Sequence, residues 1–308
     1  MHAIGLDIGG SKTHAVSYLS TASPRTQIVE AYAASANLAS VGETEADAQI
    51  AAVLAGLAVQ GHDGTPDVVC AGAAGVDSAA GEERLRTLLT RRIPGCELKV
   101  VHDTHLILAA AGVDEGIAVI SGTGSVAWGR TADGTTARAG GWGYLLGDEG
   151  SGYGIARTAI RHVLRRADDR LPADALSTTL LNRCGLTSAD ALLDDFYARP
   201  KRGYWARKAE TVFALADAGD EASVQIILDA ARSLADLVRQ VHHTLGRAAD
   251  LPVVLGGGVL VHQPVLGEVL RHHLHEDDPH TLITVDRDPA HGALDLAIAA
   301  VNDSQGDH

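Results

Sequence analysis

Two short glycine-rich segments contain the residue types that bind phosphate, and they resemble each other. The first runs Asp7-Ile-Gly-Gly-Ser-Lys-Thr13, and the second runs Ser121-Gly-Thr-Gly-Ser125. Glycine permits positive backbone angles and lets amide N–H groups approach an anion, while Ser and Thr hydroxyls add donors. Each segment lies between two apolar stretches, as does the turn of a hairpin. We therefore predict two phosphate-binding turns, formed by Gly9, Gly10, Ser11, Lys12 and Thr13 and by Gly122, Thr123, Gly124 and Ser125.

Two well-known glycine motifs do not account for these segments. A Walker A motif needs glycine directly before lysine, and Ser11 holds that position. The letters Gly122-Thr-Gly-Ser-Val-Ala127 match a dinucleotide fingerprint. They lead, however, into Trp128-Gly-Arg and a second turn, where that fold needs a crossover helix. We therefore favour neither a P-loop nor a Rossmann site.

Two aspartates follow apolar strands and could supply metal and base chemistry. Asp7 ends the first strand beside a predicted phosphate turn, so its carboxylate could hold Mg²⁺ through water or simply form the turn. Asp103 follows the apolar run 98–101 and precedes an Ala-rich helix. It could cap that helix, or it could accept a proton during phosphoryl transfer. Lys12 could reach a phosphate or lie in solvent.

The segment 140–154 has the composition of a sugar-binding surface. It combines seven glycines, two tyrosines, one tryptophan and adjacent acids in a chain with 4% aromatic residues. An indole face and carboxylates suit the ring and hydroxyls of a sugar. The alternative is a flexible surface loop with one core tryptophan. The run Gly256-Gly-Gly258 follows a buried strand and fits either close approach to a nucleotide or a tight turn.

These residues need elements to position them, and the patterning predicts the same order of elements twice. Three strands joined by turns open each half, and alternating helices and strands follow. The predicted strands are 2–7, 13–19, 27–33, 67–71, 98–102, 117–121, 125–130, 135–139, 253–255 and 281–285. The predicted helices are 43–59, 82–92, 103–112, 155–167, 173–182, 189–197, 204–218, 221–245 and 290–300. We predict two α/β domains, 1–115 and 116–308, with a cleft between them and a helical insertion in the second. The last helix stays in the second domain or packs back on the first.

Bulk properties narrow the class of protein. The chain has 308 residues, 46% of them hydrophobic, which is enough for two cores. Its net charge of −14 argues against a general electrostatic grip on nucleic acid or anionic lipid. No apolar run approaches the roughly 20 residues of a membrane span, and no leader precedes the first strand, so we expect a soluble cytoplasmic protein. The three cysteines and fifteen histidines match no disulfide or zinc pattern.

Together these motifs resemble the BadF/BadG/BcrA/BcrD-type ATPase family, in particular its N-acetylglucosamine kinase-like branch within the sugar kinase, Hsp70 and actin superfamily. The resemblance covers nearly the whole chain. It rests on the segments 7–13, 102–104, 121–125, 140–143, 147–151 and 256–258. Its specific part is Gly-Trp-Gly with Gly-Asp-Glu-Gly-Ser, because the superfamily shares the phosphate turns. It implies two ribonuclease H-like, actin-like ATPase domains, ATP and Mg²⁺ as cofactors, and phosphorylation of an amino sugar at its 6-hydroxyl.

The resemblance also implies roles for individual residues. Asp103 is the implied catalytic base, and Asp7 remains the expected metal-binding residue. The implied sugar-binding residues are Asn37, Gly75, Gly141, Trp142, Gly143 and Asp148, with Trp142 and Gly143 around the N-acetyl group. Ser11, Thr13, Thr123 and Ser125 fall in the two phosphate turns, and Gly257 and Gly258 fall in the nucleoside loop.

Two departures from the family pattern leave the sugar open. Ala73-Ala-Gly-Val-Asp77 lacks the hydroxyl of the Ser-Gly-Gly-Asp-like loop of animal N-acetylglucosamine kinases, and Ala139 replaces a cysteine of those kinases. N-acetylglucosamine is the first expectation, glucosamine the next, and N-acetylmuramic acid stays open. Two other functions compete with a kinase. One is an ATPase that activates a dehydratase or reductase through an iron–sulfur cluster, which needs clustered thiolates, and the other is a non-catalytic sugar sensor. We expect a homodimer.

Overall fold

The computed structural model describes residues 1–10, 12–21, 24, 27–73, 76, 78–199, 201–246, 251–275 and 281–306. The chain forms two compact units. Unit 1 comprises Met1–Asp114 and Val285–His308, and unit 2 comprises Glu115–Thr284. The junction lies one residue from the predicted domain boundary, but the last segment belongs to unit 1, not to the second domain.

The helices and strands follow one another in the predicted alternation. The first part of unit 1 contains β1 (His2–Ile8), β2 (Lys12–Leu19), β3 (Ile28–Ala34), α1 (Leu38–Val41), α2 (Glu43–Ala58), β4 (Val68–Ala73), α3 (Ala79–Arg92), β5 (Glu97–His102) and α4 (Asp103–Ala110). Unit 2 begins with β6 (Gly116–Ser121), β7 (Ser125–Arg130) and β8 (Thr136–Gly140). It continues with α5 (Gly152–Asp168), α6 (Ala175–Cys184), α7 (Ala189–Ala198), α8 (Arg202–Ala206), α9 (Ala209–Asp217) and α10 (Glu221–Thr244). It ends with β9 (Val253–Gly256), α11 (Gly258–His262), α12 (Pro264–His275) and β10 (Leu282–Thr284), after which α13 (Pro289–Gly306) completes unit 1.

Both units contain a five-stranded sheet with the same topology. The strand order is β3-β2-β1-β4-β5 in unit 1 and β10-β9-β6-β7-β8 in unit 2. In each sheet the first three strands of the unit form an antiparallel meander. The fourth strand pairs parallel with the first, and the fifth pairs parallel with the fourth. The duplicated order predicted from the two turns is therefore confirmed.

The sheet of unit 1 is buried on both faces. Apolar side chains of α2 and α3 cover one face, among them Ile50 and Leu85. The other face packs against α4 and α13. A Cβ at Gly5 would lie 2.3 Å from the Leu294 backbone nitrogen, so the strand and α13 approach as closely as they do only because residue 5 is glycine. This packing explains why the last helix belongs to unit 1.

The helices between β8 and β9 form the predicted insertion and share one apolar core with the sheet of unit 2. The predicted helix 204–218 is wrong in one respect, because it is divided into α8 and α9 at Arg207 and Lys208. Among the described helices, none combines the length and apolarity needed to cross a bilayer.

Asp174 illustrates how the insertion is fixed. Its carboxylate caps α6 by accepting the Ser177 N–H at 2.8 Å, and it contacts His162 Nε2 at 2.6 Å. Burial alone would raise the pKa of Asp174, but the hydrogen bonds with Ser177 and His162 outweigh burial and lower the pKa to about 2. The ionised carboxylate therefore stabilises this part of unit 2 at neutral pH.

Candidate active site

The carboxyl ends of the parallel strands in unit 1 bring Asp7 and Asp103 to the same edge of the sheet. Asp7 pairs in register with Gly72 of β4, and Gly72 pairs with Val101 of β5. Asp103 lies two residues beyond Val101, at the first position of α4. Both side chains are half-buried. This edge is where α/β folds collect catalytic groups, so the topology brings the predicted metal-binding and base residues together.

The electrostatics of Asp7 differ from those of an ordinary surface carboxylate. Burial and the negative charges of Asp103 and Asp288 raise the pKa of Asp7 to about 7, against the opposing effects of Lys12 and His14. Two carboxylates therefore act on a third that is partly shielded from water. A divalent cation with oxygen ligands would relieve this repulsion, so the residues present fit Mg²⁺ held through water.

Asp103 does not cap α4, which was its alternative role. The cap is His102, whose Nδ1 accepts the Thr104 N–H at 3.3 Å. The same nitrogen lies 2.9 Å from Asp103 Oδ1 and 2.6 Å from Thr104 Oγ1. Nδ1 has either a lone pair, which accepts the Thr104 N–H, or a proton, which it donates to Asp103 Oδ1. His102 is therefore the cap residue of α4 in place of Asp103, and its ring contacts the Asp103 carboxylate.

The first predicted phosphate turn is closed by a bond from the Gly9 N–H to the Lys12 carbonyl, at 3.0 Å. Gly10 is exposed, and a Cβ there would meet nothing within 4 Å. Thr13 is fully buried, and its Oγ1 accepts the Ala36 N–H at 2.9 Å. Ser11 lies outside the described residues. Gly9 and Gly10 therefore leave their backbone accessible in this turn, whereas the Thr13 hydroxyl is bonded to the loop at Ala36.

Asn37 is connected to the first turn by the residues before it. The Ser35 hydroxyl donates to the Gly9 carbonyl at 2.8 Å, and Ser35 Oγ accepts the Asn37 N–H at 3.2 Å. Asn37 is 5% exposed, and its Oδ1 caps α1 by accepting the Ala39 N–H at 2.9 Å. Asn37 therefore has a structural role beside the turn in addition to the sugar contact predicted for it. Gly75, the other sugar residue predicted in this unit, lies outside the described residues.

A polar cluster beside the first turn was not predicted from the sequence. Lys12 Nζ donates to Asp288 Oδ2 at 2.9 Å, and His14 Nδ1 lies 2.8 Å from Asp288 Oδ1. His14 Nε2 contacts Glu30 at 3.1 Å, and the Tyr32 ring stacks on His14 with centroids 4.1 Å apart. Burial alone would raise the pKa of Asp288, but the hydrogen bonds with His14 and Lys12 outweigh it and lower that pKa. In this structure the Asp288 carboxylate compensates the positive charge of Lys12.

The second predicted phosphate turn joins β6 and β7 and is closed by a bond from the Gly122 N–H to the Gly124 carbonyl, at 2.9 Å. Thr123 is half-buried in this turn. Gly257 lies beside it with a φ of 84°, and a Cβ at Gly257 would be 2.5 Å from the Ser121 carbonyl oxygen. Only glycine fits there. The neighbouring Gly258 is exposed and begins α11, so the predicted nucleoside loop and the second phosphate turn adjoin each other.

The segment 140–154 follows β8 and is anchored to the second turn. The Gly141 N–H donates to the Ser125 carbonyl at 3.1 Å, and the Gly143 carbonyl accepts the Gly147 N–H at 2.8 Å. The Trp142 side chain is 65% exposed, and the Arg138 guanidinium lies 4.9 Å from its ring centroid. Trp142 is therefore not a core residue, and its exposed indole can pack against a ligand.

Asp148 has an unusual backbone and a buried carboxylate. Its φ is 66°, in the left-handed region that costs a residue with a side chain on the order of 1–3 kcal/mol. Asp148 is 6% exposed, and its Oδ1 accepts the Ser125 N–H at 3.2 Å. Burial raises the pKa of Asp148, while the Ser125 N–H and the charges of Arg202 and Arg157 oppose the rise. The predicted sugar-binding carboxylate thus lies against the predicted phosphate turn.

The described cysteines and histidines do not form a metal-binding cluster. Among the residues that the structure describes, no three or more His, Cys, Asp or Glu side chains are placed to ligate one metal ion directly, so a Mg²⁺ at Asp7 would depend on water for its other ligands. Cys70 is buried in β4, and burial raises the pKa of its thiol to about 12. Such a thiol remains protonated at neutral pH.

Comparisons with known proteins show the family to which the chain is related. The sequence model of the BadF/BadG/BcrA/BcrD ATPase family matches residues 4–297 of this chain. The chain is 30% identical to an N-acetyl-D-glucosamine kinase of Dictyostelium discoideum, over 96% of this chain and 97% of that protein. It is also 30% identical to an N-acetylmuramic acid/N-acetylglucosamine kinase of Clostridium acetobutylicum, over 96% and 98% of the two chains.

A solved structure of a candidate N-acetylglucosamine kinase from Chromobacterium violaceum superposes with a TM-score of 0.75 at 25% identity. The match covers 95% of this chain and 97% of that one. The predicted fold class, an α/β protein with two ribonuclease H-like, actin-like ATPase domains, is confirmed.

Proposed function

This chain belongs to the BadF/BadG/BcrA/BcrD ATPase family, and we propose that it is an ATP-dependent kinase that phosphorylates an amino sugar at the 6-hydroxyl. The observation that carries the proposal is the pair of half-buried carboxylates Asp7 and Asp103 at one edge of the sheet of unit 1. Phosphoryl transfer needs one base and neutralisation of phosphate charge. Asp103 and Asp7 suit these two tasks. The names of the two curated relatives support an amino sugar as acceptor.

In the proposed reaction, Asp103 accepts the proton of the sugar 6-hydroxyl while that oxygen attacks the terminal phosphorus of ATP. The new O–P bond forms as the bond to the ADP oxygen breaks, and ADP leaves with that electron pair. His102 Nδ1 lies 2.9 Å from Asp103 Oδ1, and the protonated form of the ring would orient the carboxylate by donating to it. Asp7 is the residue that would hold Mg²⁺, and the bound cation would neutralise phosphate charge. In each unit the glycine turn offers backbone N–H groups to a phosphate.

Sugar recognition is assigned to Asn37, Gly141, Trp142, Gly143 and Asp148. The exposed indole of Trp142 offers a flat apolar surface to an N-acetyl group. The Asp148 carboxylate can accept a hydrogen bond from a sugar hydroxyl. N-acetylglucosamine is the proposed first substrate, glucosamine the next, and N-acetylmuramic acid stays open because one curated relative is named for it.

A coupled assay of ADP release tests the proposal. Purified protein with ATP and Mg²⁺ is offered N-acetylglucosamine, glucosamine, N-acetylmuramic acid, glucose and N-acetylgalactosamine, and a reaction without sugar is the control. We expect sugar-dependent ADP release that is fastest with N-acetylglucosamine. ADP release that no sugar stimulates would contradict the kinase, and iron bound to an anaerobic preparation would favour the redox activator. We also propose a homodimer, which light scattering on a sizing column tests.

A further inference from the structure

Residues 148–150, here called the connecting segment, join the predicted sugar-binding residues to the second phosphate turn. We propose that the connecting segment transmits sugar occupancy to that turn, so that the sugar and the nucleotide each bind more tightly when the other is present. The inference rests on the proposed function and adds Ser121 as a positioning residue to it. Ser121 is outside both predicted ligand sets.

Three successive residues of the connecting segment bond to the two serines that bracket the turn. Asp148 Oδ1 accepts the Ser125 N–H at 3.2 Å. The Glu149 carbonyl accepts the Ser125 hydroxyl at 2.7 Å, and the Gly150 carbonyl accepts the Ser121 hydroxyl at 2.7 Å. The turn and the segment are therefore linked at three consecutive positions, and a displacement of one requires a displacement of the other.

The three bonds are difficult to break because both serines and Asp148 are buried. Ser121 is fully buried, Ser125 is 4% exposed and Asp148 is 6% exposed. Water therefore has little access to replace a partner that moves, and an unpaired buried polar group is costly. A fourth bond follows directly, from the Gly152 N–H to the Gly122 carbonyl at 2.8 Å. Because Gly152 begins α5, the turn is also held against a long helix.

Asp148 connects the two proposed binding sites, because it is a proposed sugar ligand and also bonds to the phosphate turn. Its carboxylate already holds the Ser125 N–H, and its left-handed φ of 66° shows that the surrounding structure imposes its position. A sugar hydroxyl that donates to this carboxylate would restrict the same group that restricts the turn. The nucleotide then binds a turn whose mobility is already reduced, and linkage requires the converse effect to be equal.

Calorimetry can measure this coupling without turnover. A nonhydrolysable ATP analogue with Mg²⁺ is titrated into the full-length protein with and without saturating N-acetylglucosamine. For the wild type we expect the sugar to lower the dissociation constant of the analogue by about five-fold or more. In Ser121→Ala, which removes one of the three bonds and touches neither ligand, the ratio should fall below that of the wild type.

The matched control is Glu149→Gln in the same segment. The Glu149 side chain is exposed and pairs with Arg157 at 3.2 Å, whereas it is the Glu149 backbone carbonyl that bonds to Ser125. The substitution removes charge and leaves the connecting bonds intact, so the wild-type ratio should persist. A Ser121→Ala protein with the wild-type ratio, or a Glu149→Gln protein without it, would overturn the inference.

A second measurement needs no variant. Amide hydrogen exchange of the wild type with sugar alone should slow at Ser125 and Gly152, whose N–H groups make the connecting bonds. Unchanged exchange at both amides, with sugar demonstrably bound, would overturn the inference while leaving the kinase proposal intact. If turnover and sugar binding are both absent, the proposed function and this inference fail together.

Discussion

Replacing Asp7 with asparagine is expected to stabilise unit 1 at pH 8, with a gain that shrinks toward zero below pH 4. The pKa of Asp7 is raised from 3.8 to about 7, chiefly by burial and then by the charges of Asp103 and Asp288. Between these two values the unfolded chain ionises at Asp7 while the folded protein stays protonated. Stability is therefore lost as the pH rises through this window, and the loss is complete above pH 7. Asparagine is nearly isosteric and carries no charge, so it removes the loss.

The magnitude follows from the two pKa values. At 1.36 kcal/mol per pKa unit, the interval from 3.8 to about 7 corresponds to at most about 4 kcal/mol above pH 7. Addition of Mg²⁺ at pH 8 should restore part of the lost unfolding free energy in the wild type, because a cation that binds only the folded protein stabilises it. The asparagine variant should respond less to Mg²⁺.

The assay must report on unit 1 alone. All three tryptophans, Trp128, Trp142 and Trp205, lie in unit 2, so tryptophan fluorescence would follow the wrong unit. Urea unfolding read by amide exchange of peptides from β1 and β2, at pH 5 to 8 in EDTA, gives the required free energy of unfolding.

The control substitution for this experiment is Asp47→Asn, in the same unit. The hydrogen bond with Arg92 lowers the pKa of the partly exposed Asp47, so this variant should gain no stability as the pH rises. An Asp7→Asn protein that is no more stable than the wild type at pH 8 would refute the electrostatic description of the site.

Four further substitutions and one control substitution have defined outcomes. Asp103→Asn should lower kcat by about 100-fold or more while KM for both substrates stays within a few-fold, because only the proton acceptor is lost; unchanged kcat would reject Asp103 as the base. Trp142→Ala should raise KM for N-acetylglucosamine more than KM for glucosamine, and equal increases would argue against a contact with the acyl group. Asp174→Asn should lose ~1–2 kcal/mol of unfolding free energy in unit 2 at pH 7, and urea titrations should show this difference disappear as the pH falls from 3.8 through about 2. Gly5→Ala should lose roughly 1–3 kcal/mol of unfolding free energy and lower the thermal midpoint, because the new methyl group meets α13. The control is Gly10→Ala, whose thermal midpoint should match the wild type.

The sequence was sufficient for the duplicated sheet topology because its signals are local. Apolar alternation and turn residues placed β1 and β2 within one residue of their observed bounds, and the repeated turn identified β6 and β7. The position of α13 depends on contacts across the chain, such as the close approach of Gly5 to Leu294. No local pattern specifies such a contact, so the membership of the last segment in unit 1 was left open.

The parts of the site that the sequence did not predict depend on long-range contacts or short elements. Lys12 and His14 lie more than 250 positions before Asp288, and only the return of α13 to the sheet brings them together. The helix capped by Asn37 has four residues, which is too short to produce a periodic pattern. The left-handed backbone of Asp148 also has no sequence signature, because glycine is the residue expected at such an angle.

The position of the transferred phosphate tests the central claim most directly. The sugar product of a reaction with ATP and N-acetylglucosamine is isolated and examined by phosphorus–proton correlation in nuclear magnetic resonance. We predict one sugar phosphate whose phosphorus couples to the two protons on carbon 6, formed in equal amount with ADP. A phosphate on carbon 1, or ADP formed without any sugar phosphate, would contradict the proposed kinase.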